Sequence, residues 1–262
     1  MSTESTMVKK DNAGALSTIN LRADSGKGTE EMQSSDRSTP ILKILHQLSP
    51  ECNSRSAKYV EGAQPGMIYA SSFGSLVSGE KGLDIVVSHF QTRYPEWQER
   101  GDSTAAPVGT HLNPPADAVE EKGGRYRLSN GNYVEKTMYF YAIAILENGS
   151  RSAVIPMRSS NLTPGRDLND MISNLRMVDA KGSFQPASFT AVFKLKTAGK
   201  SWGDKNWHVY KPSFVKMLDV VSSPEDAELY QAGQKLQREV SKGSTQPKYE
   251  KVEADKTKKD II

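Results

Sequence analysis

The chain has 262 residues, 36% of them hydrophobic, and a formal net charge of +3, with a mean hydropathy of -0.58. This apolar content is too low for a chain packed from end to end, and it predicts one ordered core with disordered flanks. Cys52 is the single cysteine, which excludes an intrachain disulfide and indicates a reducing compartment. The apolar stretch at residues 142–146 is far too short to span a bilayer.

The positive charge is concentrated in one part of the sequence. Residues 124–220 hold fourteen basic and seven acidic side chains, a net +7, whereas residues 1–39 carry -1, residues 40–123 carry -3 and residues 221–262 are neutral. The basic stretch also contains most of the strand patterns. A basic β-region indicates a polyanionic partner, although the solvated surface of a lysine-rich protein gives the same count.

The N-terminal half begins with a polar segment and continues into strands. Residues 1–39 are rich in Ser, Thr, Gly and charge, and we expect them to form a disordered tail. The first apolar segment is 40–45. Strands are predicted at 67–73 and at 83–94, the second ending at Pro95.

A long polar loop, residues 98–132, follows, and loops of this length are usually functional or disordered. The Asn-Gly-Asn sequence at 130–132 predicts a tight turn into a long strand at 133–146. A hairpin turn at 147–150 then leads into a strand at 151–158.

The C-terminal half alternates helices and strands. A helix is predicted at 164–178, with Leu168 and Ile172 on its apolar face. Strands at 187–196 and 206–218 follow, and a second helix begins at 222–224. The polar residues 243–262 are predicted to be a disordered tail.

Counted from Leu83, the order is three strands, a helix and two strands. This order predicts a mainly β fold, a five-stranded OB-type barrel with a helix between strands 3 and 4, within a domain spanning residues 40–242. We expect the strand at 83–94 to pair with that at 133–146, and the helix to plug one end of the barrel. The alternative is a two-sheet sandwich, which needs about seven strands and leaves no place for the helix.

The residues give little support for an enzyme. The four histidines, His46, His89, His111 and His208, show no metal-type spacing with each other or with Cys52. The sequence also lacks a nucleophile elbow, a zincin motif and a paired-carboxylate signature. We therefore expect no catalytic residue, no metal and no cofactor.

A binding surface is better supported. In the strand near 189–196, alternation predicts that one side faces the core, the side that carries Phe189, Ala191, Phe193 and Leu195. The other side carries Lys194 and Lys196, aligned for successive phosphates. The next turn and strand interleave aromatic side chains with lysines, as in stacking platforms for single-stranded nucleic acid. The candidate contacts are Lys136, Arg158, Lys194, Lys196, Lys200, Trp202, Lys205, Trp207, His208, Tyr210 and Lys211.

Some of these aromatic residues have a second interpretation. Trp202 and Trp207 either stack on bases or close the end of the barrel. Tyr139 and Tyr141 belong either to the core or to a ligand surface, because one of the two alternating aromatic sets at 138–143 must be buried.

The segments from Glu135, Lys136 and Thr137 through Ile155, Pro156, Met157 and Arg158, and then from Phe189 to Trp207, resemble proteins of tailed bacteriophages. Over roughly residues 41–240 the layout is similar to that of their single-stranded DNA-binding proteins. It has a polar tail, an OB barrel with a helix after the third strand, a final hairpin rich in lysine and aromatics, a helix and a second polar tail. Many such proteins end in a strongly acidic tail, but residues 243–262 hold five lysines against four acids.

The resemblance implies a sequence-independent single-stranded DNA-binding protein that acts in phage replication or recombination. It implies single-stranded DNA and replication or recombination proteins as partners, no membrane, and a location in the host cytoplasm. Two alternatives remain open at this stage: a virion or assembly accessory protein that binds protein, and a cofactor of a nuclease or recombination enzyme on another chain.

Overall fold

The computed structural model describes residues 27–28, 31, 39–99, 106–121, 123–243 and 247. The chain divides between Arg37 and Ser38, and the fold lies in the second unit. The tails predicted at 1–39 and 243–262 lie almost wholly outside the described residues, so their disorder stays a prediction.

The fold is mainly β, with a curled half-barrel sheet and two helices. The strands are β1 (Lys43–Ile44), β2 (Ile68–Ala70), β3 (Ser75–Val77), β4 (Leu83–Trp97), β5 (Gly109–His111), β6 (Val119–Glu120), β7 (Arg125–Arg127), β8 (Tyr133–Glu135), β9 (Thr137–Leu146), β10 (Gly149–Arg158), β11 (Met177–Asp179), β12 (Gly182–Phe184), β13 (Ala191–Trp202) and β14 (Lys205–Met217). The helices are α1 (Leu162–Ser173) and α2 (Pro224–Ser241).

Five long antiparallel strands form the centre of the molecule in the order β10, β9, β4, β13, β14. The predicted pairing of the strands near 83–94 and 133–146 is confirmed, because β4 pairs with β9 from Asp84 to Arg93. The predicted hairpin turn between β9 and β10 is confirmed as well, and Gly149 takes the positive φ of 113° that it requires.

Both faces of this sheet are covered. One face, which includes Ile85, Phe140 and Phe193, packs against α1 and against the small sheet of β1, β2 and β3. The other face packs against α2. The side chains alternate along β4 up to a register shift between Val87 and His89, so that Ile85 and Val86 point into different clusters. Because both faces are covered, this part of the strand is apolar at successive positions.

The two outer strands of this order, β10 and β14, share no ladder in the described part of the chain, so closure into a five-stranded barrel is not confirmed. The outward edge of β10 is taken by residues 40–42, since Val154 exchanges backbone hydrogen bonds with Pro40 and Leu42. The outward N–H of Tyr210 on β14 donates to Asn161 Oδ1 at 2.7 Å. Pro212, two residues on and facing the same way, has no N–H to offer.

Helix α1 is buried through Leu168 and partly through Ile172, as predicted, but it ends at Ser173 rather than at residue 178. Residues 177–184 form a separate hairpin, β11–β12, whose residues are all exposed. The apolar residues of this segment extended the helical pattern in the sequence, but a turn that places Gly182 at a φ of 116° folds them back on each other.

Three other features differ from the sequence-based expectation. Strand β4 continues past Pro95 to Trp97, because Pro95 lies opposite the break between β8 and β9, where a donor is not needed. The loop predicted at 98–132 contains the short strands β5, β6 and β7. Phe189 lies in a 3-10 turn before β13 and packs with the α2 cluster, not with Phe193.

Candidate nucleic-acid interface

The lysines and aromatics singled out in the sequence lie mainly on the β13–β14 hairpin. The two strands pair along their whole length, from Ala191 opposite Met217 to Trp202 opposite Lys205. Strand β4 accompanies β13 only from Val192 to Leu195. The outer half of the hairpin therefore extends beyond the sheet, and most of its side chains are exposed.

The register of the hairpin decides which side chains share a face, because directly opposite residues of an antiparallel pair point the same way. Lys196 lies opposite Lys211, and Lys200 lies opposite Trp207. With alternation along each strand, one face carries seven of the candidate contacts, which we call the basic face. They are Lys194, Lys196, Lys200, Trp202, Lys205, Trp207 and Lys211.

The charge of the basic face is largely uncompensated. Four of its lysines are exposed and form no ion pair with another described residue: Lys196, Lys200, Lys205 and Lys211. Asp204, at the tip, is the only acidic residue in the hairpin sequence. Lys194 differs, since its Nζ lies 2.7 Å from Asp84 Oδ1 on β4. The face can therefore attract an anionic polymer along its length.

The two tryptophans of the basic face are in different environments. The Trp202 side chain is 77% exposed near the hairpin tip, and so it does not close the end of a barrel. Trp207 is half-buried, and its indole Nε1–H is buried without an acceptor among the described residues. Both aromatic surfaces lie among lysines, which is the arrangement that base stacking beside phosphate contacts requires.

Tyr210 and His208 lie on the opposite face of the hairpin, because they occupy even positions on β14 while Trp207 and Lys211 occupy odd ones. Tyr210 is only 3% exposed, its hydroxyl donates to the Leu42 carbonyl at 3.4 Å, and burial raises the pKa of that hydroxyl. Tyr210 is therefore a core residue rather than part of the basic face.

His208 packs against a loop rather than facing solvent on the basic side. A Cβ placed on Gly66 would lie 2.8 Å from His208 Nε2. Thr197 on β13 donates from Oγ1 to the Gly66 carbonyl at 2.6 Å and from its N–H to the Gly79 carbonyl at 2.9 Å. These contacts, which we call the hairpin anchor, hold the base of the hairpin against the 66–79 segment.

Lys136 and Arg158 are separated from the basic face. The row of directly opposite residues that contains Lys194 runs through Asp84 on β4 and Ile145 on β9 to Ser150 on β10. Ser150 is eight residues from Arg158 along β10, which is about 26 Å at the usual strand rise. Arg158 stacks over Trp97 at 4.7 Å and pairs with the Glu135 carboxylate at 3.4 Å. The structure thus brings together seven of the eleven predicted contacts.

Two residues of this surface were missed in the sequence. Asp84 and Ser213 lie in the same row as Lys194, on either side of it. Only the strand register reveals them, since 110 residues separate Asp84 from Lys194. Tyr139 and Tyr141 are 2% and 0% exposed and belong to the core, which decides between the two interpretations given above.

The fold and this surface define a β-rich protein with a cationic hairpin. Residues 8–246 match the family described as Pam3 phage gp34-like protein, and the chain therefore belongs to that family of phage proteins. The comparison with curated proteins gave no match, and neither did the comparison with solved structures.

Within the described ranges, no helix has the length and apolar character to cross a membrane. No group of three or more His, Cys, Asp or Glu side chains there is placed to hold a metal ion.

Proposed function

We propose that this phage protein binds single-stranded DNA, without sequence preference, through the basic face of the β13–β14 hairpin, and that it acts in replication or recombination. The observation that carries the proposal is the hairpin register, which aligns five lysines and two tryptophans on one face. The strand order, which follows the OB arrangement up to its closure, gives additional support.

The two residue types have different tasks in this proposal. The lysine ammonium groups neutralise phosphates and release counterions, which supplies affinity that depends on salt. The indole rings of Trp202 and Trp207 stack on bases, and stacking accepts every base because each has a π-face. Lysine presents a point charge rather than a planar hydrogen-bonding fork, so the face gives little sequence readout.

A second candidate function is a virion or assembly accessory role, in which the protein binds another protein. The observation in its favour is the exposed β11–β12 hairpin. Met177 and Phe184 lie opposite each other there at 39% and 42% exposure, and Val178 is 79% exposed. Val178 points to the other face of the hairpin, so the candidate contact is the Met177–Phe184 pair. Exposed apolar side chains that lie together are typical of protein-binding surfaces.

The test is a fluorescence titration with oligo-dT and with duplex DNA at several salt concentrations. We expect a preference for the single strand and an affinity that falls as salt rises. Lys196→Ala and Lys211→Ala should each lower the salt slope by about 0.7, the value for one single-strand phosphate contact. Lys181→Ala, which removes a lysine from the exposed β11–β12 turn, is the matched control and should change neither affinity nor slope.

Three results would contradict the proposal. Binding without salt dependence removes the electrostatic mechanism. Equal or tighter binding of duplex points instead to a β-ribbon in the major groove. The absence of any binding to DNA leaves the protein-binding role as the better candidate.

A further inference from the structure

Among the described residues, Asp84 is the acidic residue that pairs with a lysine of the basic face. It lies on β4 directly opposite Lys194, and the Nζ–Oδ1 distance is 2.7 Å. Both side chains remain about one-third exposed, at 30% for Lys194 and 33% for Asp84. Solvent, and therefore a phosphate group, can reach the Lys194 side chain, whereas Asp84 Oδ1 itself is buried.

Lys196 provides an internal comparison for Lys194. The turn before β4 passes both stems, since a Cβ on Gly82 would lie 2.8 Å from Lys196 Cγ and 3.1 Å from Lys194 Cγ. The two lysines lie on the same face, two residues apart, and only Lys194 has a carboxylate partner in the described structure. Asp84 therefore neutralises one lysine of the basic face, while the neighbouring Lys196 stays unpaired among the described residues.

The Lys194–Asp84 pair also differs from a structural ion pair elsewhere in the fold. Lys216 contacts both oxygens of Asp226 at 2.8 Å, and that carboxylate is only 6% exposed and accepts the Asp219 N–H as well. The Lys194–Asp84 pair has one close contact, and Asp84 Oδ1 is buried and accepts no well-formed hydrogen bond from another described residue. A phosphate that draws Lys194 away therefore leaves this oxygen without its counter-charge, which opposes binding.

We propose that Asp84 competes with the DNA phosphate for Lys194 and so lowers the affinity of the basic face, which eases release of the strand. This inference rests on the DNA-binding function proposed above. In the bound state either the ion pair opens or a phosphate lies next to the carboxylate, and both weaken binding.

Asp84→Asn tests the inference, because it keeps the size and polarity of the side chain and removes its charge. We expect oligo-dT to bind about twofold to tenfold more tightly, with a salt slope steeper by about 0.7 as Lys194 becomes available. Asp170→Asn removes one exposed negative charge from α1 and should leave affinity and slope unchanged. Asp84→Ser is a second variant, and melting temperatures establish that both fold.

The Lys194→Ala background separates competition from simple repulsion. If Asp84 acts through Lys194, Asp84→Asn should give no gain when Lys194 is already alanine. A gain of the same size in both backgrounds overturns the inference. If the wild-type protein binds oligo-dT with salt dependence and Asp84→Asn binds no more tightly, only this inference fails. If the wild-type protein does not bind, the proposed function itself fails.

Discussion

Trp202 and Tyr210 lie on opposite faces of the same hairpin, and their removal should affect different properties: DNA binding for Trp202 and stability for Tyr210. Trp202→Ala should weaken oligo-dT binding by about 1–3 kcal/mol with the salt slope and melting temperature almost unchanged, because the ring is exposed. Tyr210→Ala should lower the free energy of unfolding by about 3–5 kcal/mol, because it empties a core position. Titrations and urea unfolding of both variants check this, and a Trp202→Ala variant with wild-type affinity would contradict the stacking role.

Gly79, in the hairpin anchor, is a second residue with a specific role, because its position leaves no space for a side chain. An added Cβ would lie 2.2 Å from the Gly66 carbonyl oxygen and 1.9 Å from Thr197 Oγ1. Gly79→Ala should therefore displace the anchor and destabilise the protein by about 1–3 kcal/mol, as overpacking does. Gly109→Ala, where the added Cβ meets nothing closer than Glu96 Oε2 at 4.0 Å, should be nearly neutral. Equal unfolding free energies for the two variants would show that the anchor is not rigid.

At the scale of elements, the first turn of helix α2 contains side chains on which the stability of the fold should depend. The Ser223 hydroxyl caps the helix by accepting the Asp226 N–H at 3.2 Å, and the buried Asp226 carboxylate binds Lys216 and the Asp219 N–H. Ser223→Ala should cost about 1 kcal/mol of unfolding free energy. Asp226→Asn should cost about 1–3 kcal/mol, since it disturbs a buried hydrogen-bonded charge. The exposed Glu228→Gln is the control, and chemical denaturation measures all three.

The elements that the sequence predicted best are those defined by local chemistry. The turn before Gly149 and the Ser-Pro start of α2 each depend on the residues at the turn or helix end itself. Of the small sheet, the strand predicted at 67–73 contains β2, but β1, β3 and their pairing were not predicted, because strands of two or three residues are stabilised by long-range pairing rather than by a periodic pattern. The end of α1 was misplaced because the apolar residues of the β11–β12 hairpin continue the helical pattern in the sequence.

The candidate site was predictable in composition but not in arrangement. Alternation along a strand assigned Lys194 and Lys196 to one face correctly. The same parity applied to β14 separates Trp207 from His208 and Tyr210, so the sequence did contain that signal. The partnership of Lys194 with Asp84 was not predictable, because it depends on which strand lies beside β13.

At the scale of the whole molecule, two histidines make stability depend on pH. Burial lowers the pKa of His46, and His208 lowers it further; burial and then Arg93 lower the pKa of His89. The unfolded chain therefore takes up protons at a higher pH than the folded one does. Their contribution is fully present above the ordinary value of 6.5 and is lost as the pH falls through the lower, folded-state pKa values.

We therefore expect the unfolding free energy to decrease as the pH is lowered from about 7 towards 5, before the carboxylates titrate. His46→Gln should reduce the dependence and leave the remainder to His89. Urea unfolding at several pH values measures it. A wild-type stability that is constant or rises over this range would contradict the assignment.

The geometry of the β13–β14 hairpin is that of a lever, because its outer half extends beyond the sheet. Its fulcrum is the anchor at Thr197, and Trp202 lies five residues farther out, about 17 Å at the usual rise. By this geometry a tilt of about 10° carries the tip through roughly 3 Å while residues at the fulcrum hardly move. A tilt at this one joint would thus change the positions of both indoles without repacking the core.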